Sequence, residues 1–309
     1  MSPTIAALPA GLTVLERGWL SANNVLLAGR PGEGATLIDT GHCSHADQTL
    51  ALVQQALGGQ RLGRIFNTHL HSDHCGGNAR LQRQHGCTVW TPPGQADAVV
   101  RWDETALSYR PTGQQCEPFT LQGVLIPGGE LEIGTMGWEV LSAPGHDPDS
   151  VMLFQREHGL LISADALWEH GFGVVFPELE GESAFRDVRA VLELIATLPV
   201  RQVIPGHGRV FSDVAGALAR AHERLAVFER QPARHARHAA KVLIKFHLME
   251  RRREPAADLL RWMLDTPLLA SCHQRADSPL PLAGWTGALA EELCTAGHLR
   301  REGSWVVDA

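Results

Sequence analysis

Apolar residues come in short runs broken at glycine and proline through the first two-thirds of the chain, and at helical spacing through the last third. Residues 12–16, 24–28 and 35–39 predict three strands separated by turns at Gly18 and Pro31-Gly32-Glu33-Gly34, an antiparallel meander. Leu50, Val53 and Leu57 then mark a helix over 47–57 that Gly58-Gly59 stops. A strand at 64–68, a helix at 79–85 and a strand at 88–90 follow, ending at Pro92-Pro93-Gly94. The segment 95–117, with Trp102 and the only tyrosine, Tyr109, has no clear period. Short strands recur at 124–126, 130–133, 138–141, 151–154 and 159–163, and Phe185, Val188, Val191, Leu192 and Ile195 trace an amphipathic helix that leads into a strand at 201–204. The order strand, helix, strand, polar loop occurs twice, over 35–71 and 160–207, with no residue-level repeat. It predicts two halves whose sheets face each other with helices outside. Beyond Phe211 the pattern is helical, at 214–228, 235–252, 256–264 and 285–296, with a break at Pro232, a proline-rich loop at 279–281 and a final hairpin over 299–307 turning at Glu302-Gly303.

Metal-binding side chains stand where the apolar runs stop. His69, His71, Asp73 and His74 fall within six residues directly after the strand that contains Arg64-Ile65-Phe66. Three later strand ends carry one such residue each: His146 in Pro144-Gly145-His146-Asp147, Asp165 after Ile162-Ser163-Ala164, and His207 in Pro205-Gly206-His207-Gly208. Open α/β sheets place their sites at the carboxyl ends of strands. Neutral imidazole suits zinc and similar divalent ions, and a carboxylate offsets the charge of a second cation nearby. A surface accident in a chain with 16 histidines is the plain alternative. The recurrence of isolated ligand-type residues at successive strand ends argues against it.

These residues resemble the motif set of the metallo-β-lactamase superfamily: HxHxDH at His69 to His74, PGH at His146, an aspartate at Asp165 and a second PGH at His207, together covering roughly residues 12–210. The resemblance implies a four-layer αββα sandwich with two metals at one edge, between the sheets. It implies that His69, His71 and His146 hold one ion, that Asp73, His74 and His207 hold the other, and that Asp165 bridges them. Two divalent ions are expected, zinc first, with iron or manganese as alternatives. Such ions turn water into hydroxide near neutral pH, so the expected function is a dinuclear metal-dependent hydrolase that uses a metal-bridging hydroxide on a small ester, thioester or lactone. Asp73 doubles as the catalytic residue, orienting the nucleophile or carrying a proton. A nucleic-acid phosphodiesterase, a mononuclear-iron sulfur dioxygenase and a binding protein without turnover are the rival readings. In the superfamily an aspartate at the position of Asp39 accepts the second N–H of a ligand imidazole; a turn-forming strand-end aspartate is an equal reading. His42 and His45 read as loop residues and Cys75 as a packed thiol. Asp147 departs from the threonine that many relatives carry after the first PGH, which weakens direct transfer of glyoxalase-II or β-lactamase specificity. His170, in the aromatic loop after Asp165, is a candidate for polar contact with substrate, whereas Tyr109 is left outside the site.

Some superfamily hydrolases end in a winged helix, and the carboxyl-terminal pattern resembles one, which divides the chain into a catalytic domain at 1–230 and a small helical, winged-helix-like module at 231–309. From Arg230 to Arg261 nine Lys or Arg stand against three Asp or Glu. That is the footprint of a nucleic-acid grip, yet the formal net charge of -7 points away from one. A solvated helical cap or homodimer surface is the favoured reading, with a small molecule as the expected partner. No run is apolar and long enough to span a bilayer. Residues 1–11 lack the basic start of a secretory signal, and six scattered cysteines without a CxxC pair suit a cytoplasmic location with reduced thiols.

Overall fold

The computed structural model describes residues 7–309. The reading of residues 1–11 therefore falls in part, at 1–6, outside the described residues. The predicted meander forms: β1 (Leu12–Leu15), β2 (Asn24–Leu27) and β3 (Ala35–Ile38) pair antiparallel in that order. Helix α1 (Ala46–Ala56) carries the chain to β4 (Leu62–Phe66), parallel to β3. Helices α2 (Ser72–Cys75) and α3 (Asn78–His85) lead to β5 (Thr88–Thr91), and α4 (Ala96–Arg101) and α5 (Tyr109–Thr112) to β6 (Gly123–Val124), closing a six-stranded sheet in sequence order. Strands β7 (Glu130–Ile133), β8 (Met136–Ser142), β9 (Val151–Gln155) and β10 (Leu160–Ala164) run antiparallel. After α6 (Phe176–Glu180) and α7 (Phe185–Thr197), β11 (Gln202–Pro205) joins β10 in parallel and completes a five-stranded sheet.

The side-chain alternation of these strands makes the layers. Val25, Leu27, Ile38 and Phe66 of the first sheet share one core with Trp138, Val140, Leu153, Leu160, Ile162 and Ile204 of the second, so the sheets pack face to face. Their neighbours Leu26, Leu37, Ile65 and Val89 point the other way, onto Leu50 and Val53 of α1 and Leu81 of α3. Met152, Phe154, Leu161 and Val203 likewise meet α7 and the next helix, α8 (Val214–Arg230). Three cores separate four layers, the αββα sandwich expected from the sequence. Strands buried on both faces read as unbroken apolar runs, and each fully buried Leu, Ile or Val contributes roughly 1.5–3 kcal/mol.

The carboxyl-terminal segment adds α9 (Pro232–Arg251), α10 (Ala256–Asp265), α11 (Pro267–Arg275) and α12 (Leu282–Thr295), with β12 (Arg253–Pro255), β13 (Leu299–Glu302) and β14 (Trp305–Asp308) paired in the order β12-β14-β13. The hairpin is as predicted. The third strand and α11 were not expected, and α9 begins at Pro232 itself, where a missing N–H costs a helix nothing. Residues 95–117 fold as α4 and α5, and β4 lies two residues earlier than the strand predicted at 64–68. The helices share their core with Val174 and Leu179 from the segment before α7.

His235 of α9 joins this core to the sandwich. It is buried between Phe185 and Phe228, and its Nε2 accepts the Val175 N–H at 3.2 Å. Burial, with His238 and Arg224 nearby, pushes the ring from 6.5 down to about 3. Below pH 6.5 the unfolded chain takes up a proton that the folded chain refuses, so stability is full above that pH and is lost as pH falls. His235→Leu should flatten the decline of unfolding free energy between pH 6.5 and 5 by up to about 1.4 kcal/mol per pH unit in urea titrations. Equal slopes in the two proteins would refute this.

Candidate metal centre

The loop after β4 is braced before it presents a single ring. Asn67 donates to the His74 carbonyl at 3.2 Å and accepts from Asn78 at 2.7 Å, while Thr40 donates to Asn78 Oδ1 at 2.9 Å. The two sheets are tied at the same edge. The Asn23 side chain donates to the carbonyls of Pro205 (3.0 Å) and Gly208 (2.7 Å), the Asn23 N–H to that of Gly206 (2.7 Å), and the Val151 N–H to that of Thr68 (2.9 Å). The strand ends are sharply turned: Asp39 and Ala164, one at the end of β3 and the other of β10, have φ of 55° and 47°, the left-handed region that non-glycine residues occupy at a cost. Gly206 must be glycine because a Cβ there would stand 2.2 Å from Asp165 Oδ1.

All seven side chains singled out in the sequence meet at this edge. They form three overlapping groups, His69–His71–His146, His69–His74–Asp165 and Asp73–His74–His207, each with one candidate ligand atom per residue and all these atoms within 4.8 Å of one another. His71 Nδ1 lies 2.8 Å from His146 Nε2, and His207 Nε2 lies 3.0 Å from Asp73 Oδ2. Asp165 reaches both sides, with Oδ1 3.5 Å from His74 Nε2 and Oδ2 3.3 Å from His146 Nε2. All seven are buried. The second nitrogens are held from behind: His146 Nδ1 donates to the Val174 carbonyl at 2.6 Å, and His74 Nδ1 to Asp39 Oδ2 at 2.7 Å.

The electrostatics of the cluster call for cations. Burial drives the rings of His69, His71 and His146 down, His71 to about 3, so they are neutral with lone pairs to give. Burial would also lower His74, but Asp39, Asp165 and Asp73 around it hold it well above its ordinary value. Burial works to raise Asp73 and Asp165, yet the histidines outweigh it and keep both carboxylates anionic, Asp73 at about 2. His69 Nε2 and His74 Nε2 are buried with no hydrogen-bond partner. Orphaned ring nitrogens facing anionic oxygens are what divalent ions would satisfy, so the residues fit such ions.

The other candidates separate cleanly. Asp39 does both things left open: it ends β3 in a turn, and it accepts from His74 and from the Thr68 N–H (2.9 Å) and hydroxyl (2.7 Å). His42 and His45 bond to Ser44 and Ser21 and join none of the three groups. Asp147 is buried 3.8 Å from His71 Nε2, too far to bond it, and burial pushes its carboxyl up to about 7. His170 is exposed, with Glu169 at 3.9 Å. Tyr109 is buried and donates to the Leu70 carbonyl at 3.0 Å, supporting the loop from beneath, next to the packed Cys75 thiol. Two aromatics line the edge instead. Trp168 donates from Nε1 to Asp165 Oδ1 at 3.1 Å, and Trp19, 57% exposed, stacks on His207 with ring centroids 5.4 Å apart. Trp19 carried no signal in the sequence, since a lone tryptophan in a turn is indistinguishable from any rim residue. Phe176 packs against the rings of both His71 and His146.

Comparison with known proteins gives a consistent picture. The model of the family described as the metallo-beta-lactamase superfamily matches residues 17–207. A hydroxyacylglutathione hydrolase of Methylococcus capsulatus is 30% identical over 191 residues, 61% of this chain and 62% of that protein's length. The chain thus spans less than two-thirds of that relative. Another hydroxyacylglutathione hydrolase, from Anaeromyxobacter dehalogenans, is 29% identical over 82% of this chain and 87% of its own. The crystal structure of a metallo-beta-lactamase family protein from Thermus thermophilus superposes with a TM-score of 0.58 at 22% identity, covering 98% of this chain and 100% of its own. At that identity the likeness is one of fold, and it runs on into the carboxyl-terminal helices.

Proposed function

Because the chain belongs to the metallo-β-lactamase superfamily, we propose that it is a dinuclear metal-dependent hydrolase of a small thioester, ester or lactone, with the thioester favoured by the hydroxyacylglutathione hydrolases it is similar to. The observation that carries this reading is the convergence of seven buried side chains from separate strand ends into three overlapping ligand groups. In this reading His69, His71 and His146 hold one ion, Asp73, His74 and His207 the other, and Asp165 stands between them. The ions, zinc first, would supply a hydroxide-strength nucleophile at neutral pH and a Lewis acid for the electrophile's oxygen.

The chain's own groups do the rest. Asp39 and the Val174 carbonyl fix the tautomers of His74 and His146, so that Nε2 of each faces the centre. Trp168 holds Asp165 by its oxygen. Asp73, kept anionic, spends Oδ2 beside His207 and leaves Oδ1 to accept a hydrogen bond from the attacking water and to pass a proton on to the departing thiolate or alkoxide. Trp19 and Trp168 offer an apolar wall to the acyl or leaving group, and Phe176 shields the rings of His71 and His146 from water.

We read residues 1–230 as the catalytic part and 231–309 as a winged-helix-like cap on it, in a cytoplasmic protein. All six cysteines are free, and among the described residues no helix is long and apolar enough to cross a membrane. The basic stretch from Arg230 to Arg261 does not favour a nucleic-acid substrate. Arg237 and Lys241 pair with Glu292, Lys245 and Arg252 with Asp308, and Arg261 with Asp258, so five of its nine cations are matched, four of them by carboxylates beyond the stretch. Zinc-loaded protein with about two metals per chain should show its highest kcat/KM on thioesters or aryl esters in a panel that includes lactones, β-lactams and bis-aryl phosphodiesters. A phosphodiester at the top of that ranking, or one iron per chain with sulfite formed from a persulfide, would overturn the assignment.

A further inference from the structure

Between α8 and the first turns of α9 lies an open cavity of about 550 Å³, lined by Arg220, Glu223, Arg224, Phe228, Arg234 and His238 among others. Arg224 is its best-fixed cation. The guanidinium lies against the edge-to-face pair Phe172 and Phe228, 5.5 and 5.4 Å from the ring centroids, and donates to His238 Nε2 at 2.6 Å and to the His170 carbonyl at 3.5 Å. That commits two of its five N–H groups. Burial pushes Arg224 down from its ordinary value, the signature of a cation short of compensating charge. Burial first, then Arg224 and Lys241, bring His238 down to about 4, so it stays a neutral acceptor for Arg224.

The cavity has more donors than the protein uses. Arg220 is engaged by Asp213 at 3.3 Å and by the Glu169 carbonyl at 2.8 Å. Among the described residues the Arg234 guanidinium has only the Gln231 side chain, at 3.4 Å, and neither Arg224 nor Arg234 forms an ion pair. The one acid in the lining, Glu223, is exposed. A carboxylate offers two oxygens in one plane, whereas guanidiniums from separate helices converging on one space match the three oxygens and double charge of a phosphoryl group.

We propose that this cavity binds a small phosphate-bearing anion, at a site separate from the metal centre. Titration calorimetry of the metal-loaded protein with inorganic phosphate at fixed ionic strength should show one saturable site. Arg234→Ala, at an exposed position that leaves the fold intact, should weaken it by about tenfold or more, the worth of one charge-assisted hydrogen bond. Glu223→Gln should tighten it about two- to fivefold by removing the opposing charge. The proposal is overturned by no saturable binding, by an affinity that Arg234→Ala leaves unchanged, or by binding that disappears when the metals are stripped, which would place the phosphate on the metal centre instead.

Discussion

Asp73→Asn is expected to lower kcat/KM by about 10²–10⁴-fold and to reduce bound metal from about two ions per chain to about one. The substitution keeps size and shape and removes one charge. Asp73 Oδ2 sits 3.0 Å from His207 Nε2 and 3.9 Å from His74 Nε2, so it is the only anionic member of the Asp73–His74–His207 group. Without it the Nε2 atoms of His74 and His207 face a buried space with Asp165, at 3.5 and 3.9 Å, as their nearest remaining carboxylate, and a second divalent ion would lose its strongest partner. The group His69–His71–His146 contains no Asp73 and should retain its ion. Elemental analysis and thioester turnover on the same preparation measure both effects, with thermal unfolding to show that the variant folds. Full metal content with turnover within about threefold of the parent would remove Asp73 from the centre.

The centre was legible because its residue types are rare at the positions they hold. Four of the seven sit within six residues, and the other three each end an apolar run, so the sheet that makes the runs also makes the site. What was illegible depends on partners far away in sequence. The basic stretch from Arg230 to Arg261 left a polyanion surface open as the less favoured reading because Glu292 and Asp308, which neutralise much of it, lie some fifty residues on. Strand β12 is three residues long and exists only because β14 returns to pair with it. Helix α11 has its start signal in Thr266-Pro267 and its buried face in Leu268, Leu269 and Cys272, but nine residues between a helix and a proline-rich loop make too short a period to separate from the irregular chain around them. Strand β4 ends two residues early for a chemical reason: the Asn67 N–H still reaches the Trp90 carbonyl at 2.9 Å, but the Thr68 N–H turns to Asp39 Oδ1 at 2.9 Å, and the two side chains brace the His74 carbonyl and Asp39.

Asp39 had two readings from its place at a strand end, the structure uses both, and it yields the sharper test of the site. Thr68 N–H donates to Oδ1 at 2.9 Å, and Oδ2 accepts from the Thr68 hydroxyl at 2.7 Å and from His74 Nδ1 at 2.7 Å. While Oδ2 accepts, His74 carries a proton on Nδ1, so Nε2, the atom that faces Asp73 and Asp165, is the nitrogen whose lone pair a metal would take in place of a proton. In Asp39→Asn the Thr68 N–H still demands an oxygen, which turns the new amide NH₂ toward His74. The ring then has to accept at Nδ1 and protonate at Nε2, which blocks the nitrogen a metal would use. Asparagine tolerates the 55° φ, so the backbone is not strained and the fold should survive. Metal affinity, measured by competition with a chromophoric chelator, should fall by about 10–100-fold, with the loss concentrated in one of the two ions. Asp39→Ala should lose affinity too, but with an added destabilisation of about 1–3 kcal/mol from the stranded Thr68 N–H. An asparagine variant that binds both ions as tightly as the parent would show that Asp39 only shapes the turn and that the tautomer of His74 is set elsewhere.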